Sequence, residues 1–442
     1  METTQKLSEF VITTGFNNLP EKTVREAKLC FLDWLAVTLA GAGDSVVDSV
    51  FDVIRLAGGE PQATVLGRNI KTSALNATLV NGMSSHVLDF DDTSVEFLGH
   101  PSVTLFPCLL AVSEWQGKTG RDFLEAYILG YETGCRVAIG ATFLHYLAGW
   151  HGTSTIGHFS STAGAAKLLG LTKEQLVNAF GTAGTQAAGL KVVFGTDCKP
   201  FHAGKAGFNG LLAALLSQRG FTSIDNILDV EKGFWDVFST EWQADKAIED
   251  MGKSWHILKN NYKFHASCYG TCASIEAALS LKREYRIDPK AIERIDIRVS
   301  SPMLEVAGKQ KPTTGLEGKF SIPYSVANAL LRGDTGMAAF TDEKVHDPEA
   351  VRLREKITAT AGDHVGLFEA DVTIHVFGRS YKRKFDILAH VMEEDEKRGK
   401  ILTKFRSLAG LSLNKERVEE IIQRVDGLEQ VSHMAEIVKL LN

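Results

Sequence analysis

The chain has 442 residues, 44% of them hydrophobic and 23% charged, which is too long for one ordinary core and favours two domains without any block biased towards disorder. A formal net charge of −6 is spread along it, and no basic stripe interleaved with aromatics marks it for nucleic acid. Six cysteines, at positions 30, 108, 135, 198, 268 and 272, form no CxxC pair and no zinc-finger spacing, and they read as reduced thiols.

The opening Met1-Glu2-Thr3-Thr4 runs straight into an amphipathic pattern and lacks the basic start and apolar stretch of a signal peptide, which fits a cytoplasmic protein. From Pro20 to Ala40 the residues Val24, Ala27, Phe31, Trp34, Leu35 and Leu39 recur at helical spacing, with Pro20 suited to a first turn. Similar patterns predict helices at Val47 to Leu56, Ser73 to Val87, Val103 to Gln116, Arg121 to Thr142, Ser160 to Leu169, Lys173 to Ala188 and Ala203 to Arg219. Their Ala and Gly content favours close backbone approach and buried packing. The stretch Val137 to Ala166 contains no Asp, Glu, Lys or Arg. Its three histidines and many Ser, Thr and Gly argue against a bilayer span and for a buried segment lining an active site.

After about residue 290 the pattern changes. Ile295, Ile297 and Val299 alternate with charged residues as in a half-buried strand; so do Val372, Ile374 and Val376, after which Gly378-Arg379 and Tyr381 to Ile387 suggest an antiparallel hairpin. Lys319 to Leu331 and Pro348 to Thr358 look helical, making an α+β unit of about a hundred residues. Helical patterns return at Leu402 to Leu408, Lys415 to Val425 and Met434 to Leu441, a tail expected to rejoin the first domain.

Nucleotide chemistry finds no support. No strand-linked GxGxxG is present, Gly204-Lys205 lacks the rest of a P-loop, and Gly181-Thr182-Ala183-Gly184 is better explained by helix packing, so no cofactor is implied. Five other segments concentrate chemistry. Ser85 to Thr93, running on to Gly99-His100-Pro101-Ser102, holds two histidines and three carboxylates at a helix end. Its spacing matches no standard metal-ligand pattern, and Asp92 reads as a cap. Trp150-His151-Gly152-Thr153 places an imidazole in the charge-poor stretch, where it can exchange a proton near neutral pH. In Gly195 to Gly204, Lys199 stands just before a predicted helix start and offers an anion site. Lys263 to Cys268 lies near the domain junction, and Tyr324 in Phe320 to Tyr324 carries a hydroxyl suited to an oxyanion or a proton relay.

In this order the five segments resemble the MmgE/PrpD family, whose members dehydrate 2-methylcitrate, decarboxylate cis-aconitate or epimerise iminodisuccinate. The strings that carry the resemblance are Asn81-Gly82, His86 to Thr93, His100-Pro101-Ser102, Lys199-Pro200 with His202-Ala203-Gly204, and Phe320 to Tyr324. The resemblance implies a mainly α protein with an α+β insertion: a large helical domain over 1–265, a smaller α+β lid over 266–397, and C-terminal helices over 398–442 returning to the helical domain. It also implies a homodimer, a small polycarboxylate substrate, and a cleft without metal or cofactor. Carried over position by position, its site falls on Asp89, Asp91, Thr93, His100, His151, Lys199 and Tyr324, with Lys263, His265 and Cys272 as further substrate contacts. Asp91 or Asp89 would orient an imidazole, Lys199 would hold a carboxylate, and His151 and Tyr324 would stand beside the reacting carbon in a dry, cationic hollow.

The chain departs from the family pattern in three places. His265 stands where proline is common and Cys272 where a histidine is expected; Gly152 replaces the usual proline after the histidine; and the stretch before His100 is one residue longer, adding Glu96 and Phe97. Loss of the acid expected at Cys272 weakens dehydration and decarboxylation, both of which need one, more than proton exchange. The leading expectation is therefore epimerisation of iminodisuccinate. The alternative is a lyase acting on 2-methylcitrate or cis-aconitate, and a catalytically silent binding protein comes third.

Overall fold

A computed structural model describes residues 2–390 and 392–441. The chain divides into two compact units, Met1–Tyr262 with Arg398–Asn442, and Lys263–Lys397, so that Lys263 and His265 belong to the second. The fold is a large helical unit with a smaller α+β unit.

In the first unit the order is α1 (Thr3–Thr13), α2 (Glu21–Gly41), α3 (Ser45–Ala57), a short antiparallel pair β1 (Ala63–Val65) and β2 (Ile70–Thr72), α4 (Ala74–His86), α5 (Ser102–Gln116), α6 (Gly120–Leu147), α7 (Gly152–Leu169), α8 (Lys173–Gly184), α9 (Cys198–Gln218), α10 (Phe234–Phe238) and α11 (Ala244–Ile248). Local signals set the ends. The Ser73 hydroxyl caps α4, Thr119 with Asp122 and Thr172 with Gln175 form capping boxes at α6 and α8, and Gly117 and Gly170 close α5 and α7 in the left-handed conformation. The inner helices α4, α5, α7 and α9 pack on one another through small residues. Gly82 of α4 faces Gly204 of α9 so closely that a Cβ on Gly82 would lie 2.5 Å from the Gly204 Cα, and one on Gly204 2.2 Å from the Leu79 carbonyl oxygen. No side chain larger than hydrogen fits there, and this contact fixes the spacing between the two helices that carry His86 and Lys199.

The uncharged stretch is not one helix. It is shared between α6, whose backbone breaks at Thr142 (φ 63°, ψ 171°), and α7, and it is largely buried. Among the described residues no single helix is long and apolar enough to cross a membrane.

The second unit holds α12 (Tyr269–Tyr285), β3 (Ile292–Val299), α13 (Ser301–Ala307), α14 (Gly315–Gly318), α15 (Ile322–Arg332), α16 (Asp342–Val345), α17 (Pro348–Arg354), β4 (Ile357–Ala361), β5 (Glu369–Val376) and β6 (Arg379–Asp386). Its sheet runs β4-β3-β5-β6, with β3 and β4 parallel and the other neighbours antiparallel. Ile295, Ile297, Val372 and Ile374 point inward against Ile275, Leu281, Val326 and Leu330 of α12 and α15. Burying each such side chain contributes roughly 1.5–3 kcal/mol. The β5–β6 hairpin turns at Phe377 and Gly378, both with positive φ (49° and 71°), which suits the twist of a two-residue turn.

The structure departs from the sequence expectations here. The helix expected over Pro348 to Thr358 ends at Arg354, because the β-branched Ile357, Thr358 and Thr360 continue as a strand alongside β3. The helix Tyr269–Tyr285, not anticipated, carries a buried Ala-rich face that scatters the apolar period. Lys199 lies inside α9 rather than before it, since that helix begins at Cys198.

The tail forms α18 (Glu394–Ala409), α19 (Lys415–Asp426) and α20 (Ala435–Leu440). Lys404 is buried, pairs with Asp33 of α2 at 2.7 Å, and donates to the Phe90 carbonyl at 2.5 Å. The end of the chain thereby braces the loop that follows α4.

Candidate active site

The chain leaves α4 at His86 and turns sharply at Asp89, whose φ of 51° is left-handed, a conformation Asp tolerates better than most residues. That turn sends Asp91 back towards the helix end. The His86 Nδ1 lies 3.0 Å from both Asp91 oxygens, and the His100 Nδ1 lies 2.7 Å from Asp91 Oδ2 and 2.7 Å from the Asp92 carbonyl. Carboxylate and carbonyl only accept, so both Nδ1 atoms carry hydrogen and donate. Burial works to raise the Asp91 pKa, but the two imidazoles outweigh it and hold the carboxyl well below its usual range. Burial pushes His86 down to about 4 against the pull of Asp91. His86 is therefore a neutral ring with Nε2 bare, and that buried nitrogen has no hydrogen-bond partner among the described residues.

The second wall comes from α7. His151 is its N-cap residue, and its backbone rather than its side chain serves the helix: the carbonyl accepts from Ser154 and Thr155, and the N–H donates to Gly189. The ring is left for other partners. It stacks on His86 with centroids 6.2 Å apart and meets the Phe194 ring edge-on at 4.8 Å. Its Nδ1 lies 2.9 Å from that of His202. Burial first, then the fields of His86 and Lys199, keep His151 well below the usual histidine range. Two glycines bring the walls together. A Cβ on Gly152 would meet the Leu98 carbonyl at 2.2 Å, and one on Gly99 would meet the Thr153 N–H and hydroxyl at 2.5 Å. The departure at Gly152 thus has a steric reason, and the His100 N–H donates to the same Thr153 hydroxyl at 3.1 Å.

From the first turn of α9, Lys199 reaches Asp89 at 2.7 Å, with its ammonium 5.7 Å from the centre of the Phe194 ring; the lysine is 7% exposed. The expectation of a cationic hollow is corrected by this pair. Asp89 balances Lys199, Asp91 brings a second negative charge, and burial holds His86 and His151 below the usual histidine range. Thr93 pairs its backbone with Asn261 and donates its hydroxyl to the Gly99 carbonyl at 3.2 Å, so it shapes the loop before His100. Asp92 caps no helix. It accepts from the Ser102 hydroxyl at 2.6 Å and Asn260 at 3.0 Å, and burial pushes it up to about 8. Glu96 and Phe97, in the lengthened stretch before His100, are structural: Glu96 pairs with Lys259 and His256, and Phe97 packs against Tyr131 and Gly134.

Lys263, His265, Cys272 and Tyr324 stand in the second unit. Lys263 is buried. His265 bonds Thr335 at 2.7 Å and Glu276 at 3.1 Å, and the buried Cys272 thiol is 3.9 Å from the Cys268 carbonyl. The Tyr324 hydroxyl donates to the Ala339 carbonyl at 2.5 Å, and burial raises it to about 12. Its proton is committed within its own unit.

His86, Asp89 and His100 each offer an atom within 4.8 Å of the others, close enough to share a cation. Asp91 leaves the Nε2 of His86 free to ligate, but an ion there would have to displace the buried Lys199 ammonium from Asp89 and stand beside that positive charge. On that ground the donor set fits a divalent metal poorly. Sequence reasoning passed over His86 and His202. Both lie in the quoted strings, but only the helix positions show His86 aimed at Asp91 and His202 aimed at His151.

Fold and site together define a helical protein with an α+β unit and a buried acid–base cluster. The chain belongs to the MmgE/PrpD family: the MmgE/PrpD N-terminal domain matches residues 5–247 and the MmgE/PrpD C-terminal domain residues 265–429. It is 26% identical to a cis-aconitate decarboxylase of Aspergillus terreus over 99% of this chain and 96% of that protein. It is also 26% identical to the mouse cis-aconitate decarboxylase (96% and 90%) and 27% identical to the 2-methylcitrate dehydratase of Escherichia coli (66% and 64%).

Proposed function

We propose that the chain is an enzyme that decarboxylates cis-aconitate or a close tricarboxylate without a cofactor. Its relatives support the lyase alternative over epimerisation of iminodisuccinate, and the decarboxylases among them align along nearly the whole chain. The observation that carries the reading is the convergence of three imidazoles, His86, His100 and His151, with the buried Lys199–Asp89 pair. Decarboxylation leaves an electron pair on carbon beside the remaining carboxylates, and a proton must then reach that carbon. Lys199 turns from Asp89 to a substrate carboxylate, a charge-assisted contact in a desolvated site. His151 supplies the proton from Nε2, while Asp91 holds His86 and His100 in fixed orientation. In this reading the protein acts as a homodimer, for which light scattering is expected to return twice the mass of one chain.

The test offers the purified protein cis-aconitate, 2-methylcitrate and iminodisuccinate in separate reactions. Carbon dioxide from cis-aconitate is the expected result. An alkene formed only from 2-methylcitrate would make the protein a dehydratase. Deuterium entering only the α-position of iminodisuccinate would restore the epimerase reading, and no reaction with any of the three would leave a binding protein.

A further inference from the structure

His202 sits one turn beyond Lys199 on α9, with its Nδ1 2.9 Å from the Nδ1 of His151. Two neutral imidazoles that meet nitrogen to nitrogen share one proton, since one must donate and the other accept. His151 is 2% exposed, whereas His202 is only part-buried. The ring of His151 is enclosed by His86, Phe194 and His202, with the charge of Lys199 and the ring of His100 nearby. Gly189 stands beside the His202 ring, and Lys199 is the charged group that acts on it.

From this geometry we infer that His202 is a positioning residue that sets which nitrogen of His151 bears the proton and links that buried ring to solvent; the inference rests on His151 being the proton carrier of the proposed reaction. When His202 donates, the His151 Nδ1 accepts and its Nε2 holds hydrogen, the acid form. When His151 donates, its Nε2 is bare, the base form. Delivery to carbon is balanced along the pair: the His151 Nε2 proton joins the carbon lone pair, the His202 Nδ1 proton moves to the His151 Nδ1, and a water proton joins the His202 Nε2, leaving hydroxide that the released carbon dioxide takes up as bicarbonate. Water admitted as product leaves protonates the His151 Nε2, after which the Nδ1 proton returns to His202 and the proton released from the His202 Nε2 neutralises that water's hydroxide, restoring the acid form.

Two measurements test this. In protein labelled with 15N-histidine, a scalar coupling between the two Nδ1 nuclei is expected in the wild type and absent in His202→Ala; a wild type without that coupling overturns the inference whether or not the proposed reaction is found. In turnover, His202→Ala is expected to lower kcat ten- to a hundred-fold with KM within two-fold, and added imidazole is expected to restore several-fold of the loss. Because alanine suits the helix, the melting temperature should hold, and His202→Gln repeats the test if it does not. Unchanged kcat, or a loss that imidazole does not rescue, sinks the relay. A wild type that turns over none of the three polycarboxylates sinks the proposed function instead, and the coupling then decides the pairing alone.

Discussion

Asp91 serves two imidazoles with one carboxylate, and its removal should be more damaging than its size suggests. In Asp91→Asn the amide offers one accepting oxygen and one donating nitrogen, so one of His86 and His100 must change tautomer or lose its partner. Turnover of cis-aconitate is expected to fall at least about a hundred-fold, within the range of general acid–base effects, with circular dichroism unchanged; activity within about three-fold of wild type would show that the two orientations are immaterial. Lys199→Ala is expected mainly to raise KM, as loss of a substrate contact does, and an unchanged KM would remove Lys199 from binding. At this scale the sequence was only partly legible. The types at 89, 91, 100, 151 and 199 point to acid–base chemistry by themselves. The bare Nε2 of His86, the pairing of Lys199 with Asp89 and the commitment of the Tyr324 hydroxyl to Ala339 depend on where neighbouring elements put their atoms.

The elements that carry the site are set by backbone contact more than by side-chain packing. Gly204→Ala is expected to cost about 1–3 kcal/mol as overpacking, because the new methyl meets the Leu79 carbonyl and forces α9 away from α4. A urea midpoint unchanged by the substitution would contradict that close contact. The same strain displaces Lys199 and His202 from the α4 groups, so activity should fall further than stability alone requires. Long helices with a single apolar face, such as α2, can be read from the sequence period. Tyr269–Tyr285 is not, since small residues such as Ala273, Ala277 and Ala278 make up much of its buried face and blur the period. Ile357–Ala361 takes its partner from β3 more than sixty residues earlier, a pairing no local window contains.

Across the whole molecule, buried ionisable groups should shape stability against pH. Burial holds His86, His145 and His158 at about 4. Between pH 4 and 6.5 the unfolded chain binds protons at these positions that the native state does not, so stability rises with pH and flattens above 6.5. Asp92 acts in the opposite sense: its folded pKa of about 8 stands above the unfolded 3.8, so its contribution is lost as pH rises towards 8. With His151 and His202 also held low, the histidines outnumber the carboxyls raised by burial, Asp33 and Asp92, which gives a melting temperature that climbs from pH 4 to about 6.5 and then declines gently. Asp92→Asn, which mimics the protonated acid, is expected to lessen the decline, and a melting temperature that keeps rising to pH 8 would refute the assignment. The two-part organisation was visible in the switch from helical to alternating period, and the family in its ordered strings. Which reaction the family member performs was not, because that depends on which protons sit on which nitrogens. Turnover of cis-aconitate in deuterium oxide, by wild type and His151→Ala side by side, tests this most directly. Carbon dioxide and a five-carbon product carrying one carbon-bound deuteron are expected, with the variant slower by about a hundred-fold or more; equal rates in the two proteins, or no carbon dioxide from either, would contradict His151 as the proton carrier of a decarboxylase.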